Sequence, residues 1–385
     1  MEAKTPPIQT KLPAVGTTIF TVMSALASER GAVNLGQGFP DFDCDPRLLQ
    51  AVTDAMSQGL NQYPPMTGVP ALRAAVAAKI ETMYGRSYDP AGEITITAGA
   101  TQAIITAILA IVRPGDEVIV LEPCYDSYVP NIELAGGTVV RVPLTPGTFR
   151  PDLDKIAAAI TPRTRALLIN SPHNPSATVW TPQEMRQLEA LLAPTDVFLI
   201  SDEVYEHMVF DGQEHQSAAR YAGLASRAFI VSSFGKTYHV TGWKVGYVAA
   251  PAPLSAEFRK VHQFNVFTVN TPMQHGLAAY MADAQPYLQL PAFYQRKRDL
   301  FKAGLARTRL KLLPSEGSYF QCVDISEVSD LPEAEFCKWL TSELGVAAIP
   351  LSAFYGDGFD QRVVRFCFAK KDDTLNTALD RLARL

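Results

Sequence analysis

The chain has 385 residues, of which 47% are hydrophobic and 19% are charged, with 34 basic residues against 39 acidic ones. This composition is that of a folded protein long enough for two or three domains, and it excludes an extensively disordered chain. The net charge of −5 argues against nucleic acid or an anionic membrane as a partner.

Residues from about 50 to 285 alternate between short apolar runs and helical patterns. The first predicted strand is Ile94–Thr97, and a helix that is apolar almost all round, Thr101–Val112, follows it. Runs rich in β-branched and aliphatic residues predict further strands at Glu117–Leu121, Thr138–Val142, Ala166–Ile169, Val197–Ile200, Phe229–Ser232 and Val245–Val248. An amphipathic helix, Pro182–Leu192, begins after the N-cap Thr181. This alternation predicts an α/β fold with a mostly parallel sheet between helices.

The last hundred residues have a different pattern. Gln285–Arg309 predicts a long helix that is interrupted early by Pro291. Strands are expected at Tyr319–Asp324, Val346–Ile349 and Val363–Phe368, and helices near Glu333–Leu344 and Thr374–Leu382. We therefore predict a large domain over residues 48–285 and a small α+β domain over residues 286–385. Residues 1–47 are expected to form an N-terminal arm and part of the small domain.

No segment is typical of secretion or of membrane insertion. Residues 1–7 lack the apolar stretch of a secretory signal, and the longest apolar run, about 103–112, is too short for a transmembrane helix. The cysteines are odd in number and widely spaced, without a C-x-x-C pair: Cys44, Cys124, Cys322, Cys337 and Cys367. This pattern predicts reduced thiols, no metal site and a cytoplasmic location.

Lys236 stands just after a predicted strand, in the segment Ser232–Tyr247. A second cation, Lys244, follows eight positions later. Two lysines in a loop are usually solvated side chains without a function, so this pair alone predicts nothing. Neighbouring motifs change that interpretation, because each supplies a group that a phosphate-bearing carbonyl cofactor requires.

Two of these motifs lie at the ends of predicted strands. Gly99, Ala100 and Thr101 open the buried helix, where backbone N–H groups can bind phosphate, although small residues at a helix start are also common without a ligand. The pattern is neither G-x-G-x-x-G nor a P-loop, so nucleotide binding is not predicted. Asp202 and Tyr205 follow the strand ending at Ile200, where open sheets bind ligands, although Asp202 is equally suited to be a helix N-cap.

Together these residues match the requirements of pyridoxal 5′-phosphate (PLP). The cofactor needs a lysine for covalent attachment and an acid beside its pyridine nitrogen. It also needs donors around its phosphate and a platform beneath its ring. Lys236, Asp202, the turn at residues 99–101 and Tyr125 can fill these roles.

Seven further motifs run in order from about residue 35 to about residue 370. They are LGQGFPDF (35–42), NQY (61–63), AGAT (98–101), EPCYDSY (122–128), PHNP (172–175), SDEVY (201–205) and VRFCF (364–368). With these motifs and the Lys236 segment, the sequence resembles the fold-type-I, class I and II aminotransferases. Within that family it is similar to the kynurenine/glutamine transaminase branch, and most of all to bacterial methionine aminotransferases. The resemblance implies a mostly parallel seven-stranded sheet in a large PLP-binding domain, with a small α+β domain.

The resemblance also implies roles for residues around the cofactor. Lys236 would attach PLP and then move the substrate proton, Asp202 would pair with the pyridine nitrogen, and Tyr205 with Asn174 would bond the phenolate oxygen. Tyr125 would stack on the ring. The phosphate would be bound by Gly99, Ala100, Thr101, Ser233 and Lys244, and by Tyr63 of the neighbouring subunit. The active unit would therefore be a homodimer with its active sites at the subunit interface.

For the substrates, the resemblance implies a ping-pong transfer from an amino acid to a 2-oxo acid through Lys236. Arg365 would bind the α-carboxylate through its planar fork, beside Gly38 and Asn174. An aspartate-type enzyme needs a second arginine from the partner chain, and Phe267 stands in the corresponding stretch instead. Ile19 and Phe20 align with the side-chain pocket. The expected donors are thus methionine, phenylalanine, tyrosine, leucine, glutamine or kynurenine-like amino acids.

Three alternative functions remain open from the sequence. The first is a PLP-dependent β-lyase acting on cystathionine or cysteine S-conjugates with the same lysine. The second is a PLP-binding regulatory domain, which would require an added helix-turn-helix, and motifs beginning near residue 35 leave no room for one. The third is a nicotinamide dehydrogenase, which the missing glycine fingerprint opposes.

Overall fold

The computed structural model describes residues 6–385, so residues 1–5 of the expected N-terminal arm, and with them most of the segment tested for a secretory signal, lie outside the described part. In chain order the strands are β1 (Val33–Asn34), β2 (Ile94–Thr97), β3 (Glu117–Glu122), β4 (Thr138–Pro143), β5 (Thr164–Asn170), β6 (Phe198–Asp202), β7 (Ala228–Ser233), β8 (Gly246–Ala249), β9 (Lys311–Leu312), β10 (Phe320–Asp324), β11 (Val346–Ala347), β12 (Ile349–Pro350) and β13 (Val363–Cys367).

The helices, again in chain order, are α1 (Ile19–Arg30), α2 (Pro46–Ser57), α3 (Pro70–Tyr84), α4 (Gly99–Ile111), α5 (Tyr128–Leu134), α6 (Leu153–Ala159), α7 (Pro182–Leu192), α8 (Ala222–Ala225), α9 (Phe234–Thr237), α10 (Ala252–Asn265), α11 (Thr271–Tyr280), α12 (Gln285–Leu288), α13 (Leu290–Leu305), α14 (Glu333–Trp339) and α15 (Asp372–Leu382). A π-helical turn, Leu340–Leu344, continues α14. Among residues 6–385, no helix combines the length and the hydropathy needed to cross a bilayer.

The large sheet has seven strands in the order β2-β8-β7-β6-β5-β3-β4. Strands β3 to β7 pair in parallel, and only β8 runs antiparallel to its neighbours β2 and β7. The prediction of a mostly parallel seven-stranded sheet is therefore confirmed. Asn170, Asp202 and Val231 are in register on adjacent strands, so β5, β6 and β7 end at the same edge of the sheet.

Both faces of this sheet are covered by helices. Ile119 and Leu121 of β3 belong to the buried cluster that includes α7, whereas Val118 and Val120 belong to the cluster that includes α4. Successive side chains of a strand point to opposite faces, so both sets can be buried only if each face is covered. This burial explains the continuous apolar runs in the sequence.

A second sheet has four antiparallel strands in the order β12-β13-β10-β9. Its interior strand β13 carries Arg365. Near it, Val33 of β1 pairs with Val346 of β11 in parallel, so the N-terminal segment joins residues from the C-terminal third. This pairing supports the expected small domain built from both ends of the chain.

One predicted element differs from the structure. The expected strand Val346–Ile349 is two strands, because β11 pairs with β1 whereas β12 pairs with β13 in the other sheet. The expected interruption of the long helix by Pro291 is confirmed, since the helix is divided into α12 and α13, although α13 ends at Leu305 and not at Arg309. Proline lacks an N–H donor and clashes with the preceding turn, and so it begins a new helix in its first turn instead of continuing the old one.

Candidate active site

A cavity of about 330 Å³ lies where the two sheets and the N-terminal segment meet. The parallel strands contribute Asp202 and Ser233 at their carboxyl ends, and the small sheet contributes Phe320 and Arg365. Gly38 comes from the segment after β1. The cavity is thus placed where open α/β sheets bind ligands.

Thirteen of the residues predicted for the site line this cavity: Phe20, Gly38, Gly99, Ala100, Thr101, Tyr125, Asn174, Asp202, Tyr205, Ser233, Lys236, Lys244 and Arg365. Three others do not. Ile19 packs against the hydrophobic core instead, because consecutive helical residues are rotated by about 100° and Phe20 takes the inward direction. Tyr63 is 80% exposed, and its ring contacts that of Phe267 edge-on with centroids 5.2 Å apart. Both lie outside the cavity of their own chain.

One end of the cavity is suited to an anion. Helix α4 begins at Gly99, whose φ of +77° lets the chain turn sharply into the helix, and its N-terminus carries partial positive charge. A Cβ placed on Gly99 would lie 3.5 Å from Lys244 Nζ, so the ammonium group is beside this turn. Ser233 adds a hydroxyl at the end of β7. Backbone donors, a cation and a hydroxyl together form a phosphate-binding constellation.

Asp202 is buried at the end of β6. Its Oδ2 accepts a hydrogen bond of 2.6 Å from the hydroxyl of Tyr128, and its Oδ1 accepts one of 3.3 Å from the backbone N–H of Val204. Burial raises the pKa of Asp202 to about 6, although both hydrogen bonds and the charge of Lys236 oppose that rise. A cationic partner beside this carboxyl would therefore favour its ionised form.

Lys236 lies in the short helix α9, directly after β7. Its Nζ donates to the carbonyl of Gly38 at 3.2 Å and to the hydroxyl oxygen of Tyr319 at 2.9 Å, and Tyr319 in turn donates to the same carbonyl. Burial lowers the pKa of Lys236 to about 8. A substantial fraction of the amine is then neutral near pH 7–8, which is the nucleophilic form.

Arg365 is 1% exposed and makes hydrogen bonds to two segments. Its Nη1 donates to Asn174 Oδ1 at 2.5 Å, and its Nη2 donates to the carbonyl of Gly36 at 3.1 Å. The guanidinium carbon lies 3.9 Å from the ring centroid of Phe320 and 5.0 Å from that of Phe354. Aromatic rings hold the cation by cation–π attraction and exclude water from it. The fork is thus rigid and desolvated before a carboxylate arrives.

A buried ionic cluster lies behind the site and outside the cavity. Glu206, four residues after Asp202, accepts hydrogen bonds from Lys79 Nζ at 2.7 Å, from the hydroxyl of Tyr84 at 2.6 Å and from Ser232 Oγ at 2.5 Å. These bonds tie the segment after β6 to β7 and to α3.

Sequence reasoning missed Tyr128 and Tyr319. Each contacts a residue that the sequence had marked, yet each is a buried tyrosine, and tyrosines are common in protein cores without a function. The motif EPCYDSY, residues 122–128, contains Tyr128, and its three-residue spacing from Tyr125 is the available signal.

Comparisons with known proteins point to one family. The family model for aminotransferase class I and II matches residues 30–382. The methionine aminotransferase of Escherichia coli is 54% identical over 378 residues, covering 98% of each chain. Human kynurenine–oxoglutarate transaminase 1 is 36% identical, covering 93% of each chain.

Solved structures agree with these sequence matches. An Escherichia coli protein with a reported methionine aminotransferase function has a TM-score of 0.97 at 54% identity, covering 99% of this chain and 100% of that one. The N-succinyldiaminopimelate aminotransferase of Mycobacterium tuberculosis has a TM-score of 0.94 at 42% identity, with 98% and 100% covered.

Proposed function

The chain belongs to the aminotransferase class I and II family, and on that premise we propose that its amino donor is methionine or another amino acid with a neutral, apolar side chain. It is a PLP-dependent aminotransferase that exchanges an amino group between small molecules. The similarity to a methionine aminotransferase over nearly the whole chain supports the choice of methionine.

The charges of the cavity carry this proposal. The part of the cavity that one chain forms is lined by three cationic side chains, and each has a task that leaves none for a second substrate carboxylate, while Phe267 stands where an aspartate-type partner would supply an arginine. Lys236 attaches the cofactor, Lys244 lies at the phosphate end and Arg365 binds the α-carboxylate. The remaining charge near Arg365 is the carboxylate of Asp126, which repels an acidic side chain. The other lining side chains include apolar ones: Phe20, Phe39, Ile104 and Phe320.

The donor set fits PLP, with an anion site at one end, the buried carboxyl of Asp202 elsewhere in the same cavity, and the amine of Lys236. When bound, the cofactor supplies an electron sink for the electrons left on the substrate Cα. We assign to Lys236 the attachment of PLP and the movement of the proton at Cα. Asp202 pairs with the pyridine nitrogen, and Tyr205 with Asn174 bonds the phenolate oxygen.

The remaining groups bind and orient. Tyr125 stacks on the ring, and Arg365 holds the α-carboxylate beside Gly38. The phosphate is bound by the α4 N-terminus at Gly99, Ala100 and Thr101, by Ser233 and by Lys244. The rigid, water-shielded setting of Arg365 supports its role, because a desolvated fork binds a carboxylate more strongly than a solvated one.

We also propose a homodimer in which Tyr63 reaches the phosphate of the neighbouring subunit and Phe267 faces its substrate pocket. The exposure of both rings supports this arrangement, since a residue that serves another subunit cannot be buried in its own. A cytoplasmic location is supported by the five unbridged cysteines. The division into residues 1–47, 48–285 and 286–385 remains part of the proposal, with the pairing of β1 and β11 in its favour.

A donor panel tests the substrate proposal. With one fixed 2-oxo acid acceptor, kcat/KM is measured for methionine, norleucine, glutamine, glutamate and aspartate. We expect methionine to exceed glutamate and aspartate by about 100-fold or more, because each acidic side chain would bury an unpaired charge. Norleucine is the matched control for the apolar chain without sulfur. Equal values for methionine and aspartate would refute the proposal, and acceptor-independent release of pyruvate from cystathionine would establish the β-lyase instead.

A further inference from the structure

Tyr128 connects two side chains that have different tasks in the site. Its hydroxyl donates to Asp202 Oδ2 at 2.6 Å, and its ring meets that of Tyr125 edge-on, with centroids 5.7 Å apart and planes at 79°. We propose that Tyr128 is a positioning residue that fixes the carboxylate of Asp202 and the ring of Tyr125 relative to each other. The inference rests on the proposed roles of those two residues toward PLP.

The local fold makes this arrangement rigid. Tyr128 begins helix α5, and its backbone N–H donates to the carbonyl of Tyr125 at 3.1 Å, so both rings leave one tight turn on the same side. Tyr128 is 2% exposed, and bulk water does not compete for its hydroxyl. Its ring packs in the cluster that also contains α4 and the large sheet. The hydroxyl is therefore held by the core at a fixed place.

Asp202 depends on this hydroxyl for its orientation. Within residues 6–385, Tyr128 is the one side chain that donates a hydrogen bond to the carboxylate, and the backbone N–H of Val204 bonds the other oxygen at 3.3 Å. The main-chain carbonyl of Asp202 is held separately by Asn170 Nδ2 and the N–H of Ser171, at 2.9 and 3.1 Å. Contacts to the main-chain carbonyl thus fix the end of β6, whereas Tyr128 fixes the orientation of the Asp202 side-chain carboxylate.

The hydroxyl also affects the ionisation of the acid. Burial raises the pKa of Asp202, and the hydrogen bond from Tyr128 lowers it, so removal of the hydroxyl raises the pKa further. The other groups that face Asp202 are Lys236, Glu203, Tyr125 and Tyr205. Of these, the carboxylate of Glu203 is engaged elsewhere, because its Oε2 lies 2.8 Å from His215 Nε2. Within residues 6–385, none of these four groups donates a hydrogen bond to the carboxylate of Asp202.

Tyr128→Phe removes the hydroxyl and leaves the ring, and Tyr84→Phe is its matched control. Tyr84 is also buried and donates to a buried carboxylate, Glu206 Oε2, at the same 2.6 Å, but it lies outside the cavity. Both variants lose one phenol–carboxylate hydrogen bond. A difference between them therefore reports on position in the site and not on the general cost of a lost bond.

We expect Tyr128→Phe to weaken binding of PLP to the apoenzyme by about tenfold, which is typical of a lost hydrogen bond to a charged group. In the pH profile of PLP binding to the apoenzyme, the acidic limb should move up by about one pH unit, because Asp202 then takes up a proton at higher pH. KM for methionine should stay within about twofold, because Arg365 is untouched. Tyr84→Phe should change none of these three values.

A double variant locates the effect. In an Asp202→Ala background, Tyr128→Phe should weaken PLP binding by less than about twofold, since the oxygen that accepts its hydrogen bond is gone. If Tyr128→Phe gives too little folded protein, 3-fluorotyrosine at position 128 is isosteric and a stronger donor, and it should move the acidic limb down. An unshifted limb with unchanged PLP affinity, or full additivity with Asp202→Ala, would overturn the proposal. PLP affinity needs no amino acid, so this result is independent of the donor panel.

Discussion

Arg365→Lys tests the carboxylate clamp most directly, because it keeps the positive charge and removes the fork. The guanidinium uses two nitrogens, one on Asn174 Oδ1 and one on the carbonyl of Gly36. Lysine ends in a single ammonium nitrogen, Nζ, and lacks the planar guanidinium group. It can therefore keep one of these contacts or bind the substrate carboxylate, but not both. The substrate carboxylate is then held by one hydrogen bond from residue 365 instead of two.

The expected magnitude follows from these contacts. The loss of one charge-assisted hydrogen bond to the substrate costs about 1.5–3 kcal/mol. Since about 1.4 kcal/mol corresponds to a factor of ten, kcat/KM for methionine should fall roughly 10- to 150-fold. The loss should lie mainly in KM, because the clamp holds the carboxylate both before and during the reaction.

The assay compares methionine with 3-(methylthio)propylamine, the same chain without its carboxylate. The amine has no carboxylate for residue 365 to bind. The rate of its first half-reaction should therefore be the same in Arg365→Lys as in the unaltered enzyme. Arg298→Lys is the control, since Arg298 is also buried and bonds Asp211 at 2.5 and 2.7 Å outside the cavity. Equal losses for methionine and the amine, or an unchanged KM for methionine, would refute the carboxylate role of Arg365.

Three further predictions concern stability. Lys79→Met should lower the free energy of unfolding in urea by about 3–5 kcal/mol because it leaves Glu206 buried without its cation, whereas Lys260→Met, in an exposed pair, should cost less than about 1 kcal/mol. Gly99→Ala should lower the free energy of unfolding of the apoenzyme by about 1–2 kcal/mol, because an alanine at φ +77° is strained by about that amount; an unchanged urea midpoint would contradict this. Burial lowers the pKa to about 4 at three histidines: His173, His239 and His262. The unfolded chain then binds more protons than the folded one, so stability that is complete above about pH 6.5 should be lost as the pH falls toward 4, by up to about 3 kcal/mol for each histidine, and a flat urea midpoint across that range would exclude it.

The elements that the sequence predicts best are those with local signals where they begin. Pro182–Leu192 has the same bounds in prediction and structure, because Thr181 and Glu184 form a reciprocal cap and a proline occupies the first turn. The run at residues 346–349 carries no such signal. Its division depends on which distant strand each half pairs with, and an apolar run looks the same in either sheet.

The same distinction applies to the site. The resemblance to aminotransferases is what marked Lys236, Asp202 and Arg365, and their positions agree with it, because a charged residue at a strand end or within an apolar strand needs a partner. Tyr128 and Tyr319 could not be predicted, because a buried tyrosine is ordinary and only its partner reveals its task. Those partners are 74 and 83 residues away along the chain. Contacts of that separation are set by strand order, which local patterns do not specify.

Strand order also explains why a chain of net charge −5 can bind an anionic cofactor. Charges at the surface are screened over about 8 Å at physiological salt, so a ligand in the cavity responds mainly to the groups that line it. Among the described lining residues, Lys236, Lys244 and Arg365 stand against Asp126 and Asp202, and burial raises the pKa of both carboxyls. The local balance is therefore positive where the whole chain is negative. The sign of the site is fixed by which strand ends the fold brings together, and the total composition carries no information about it.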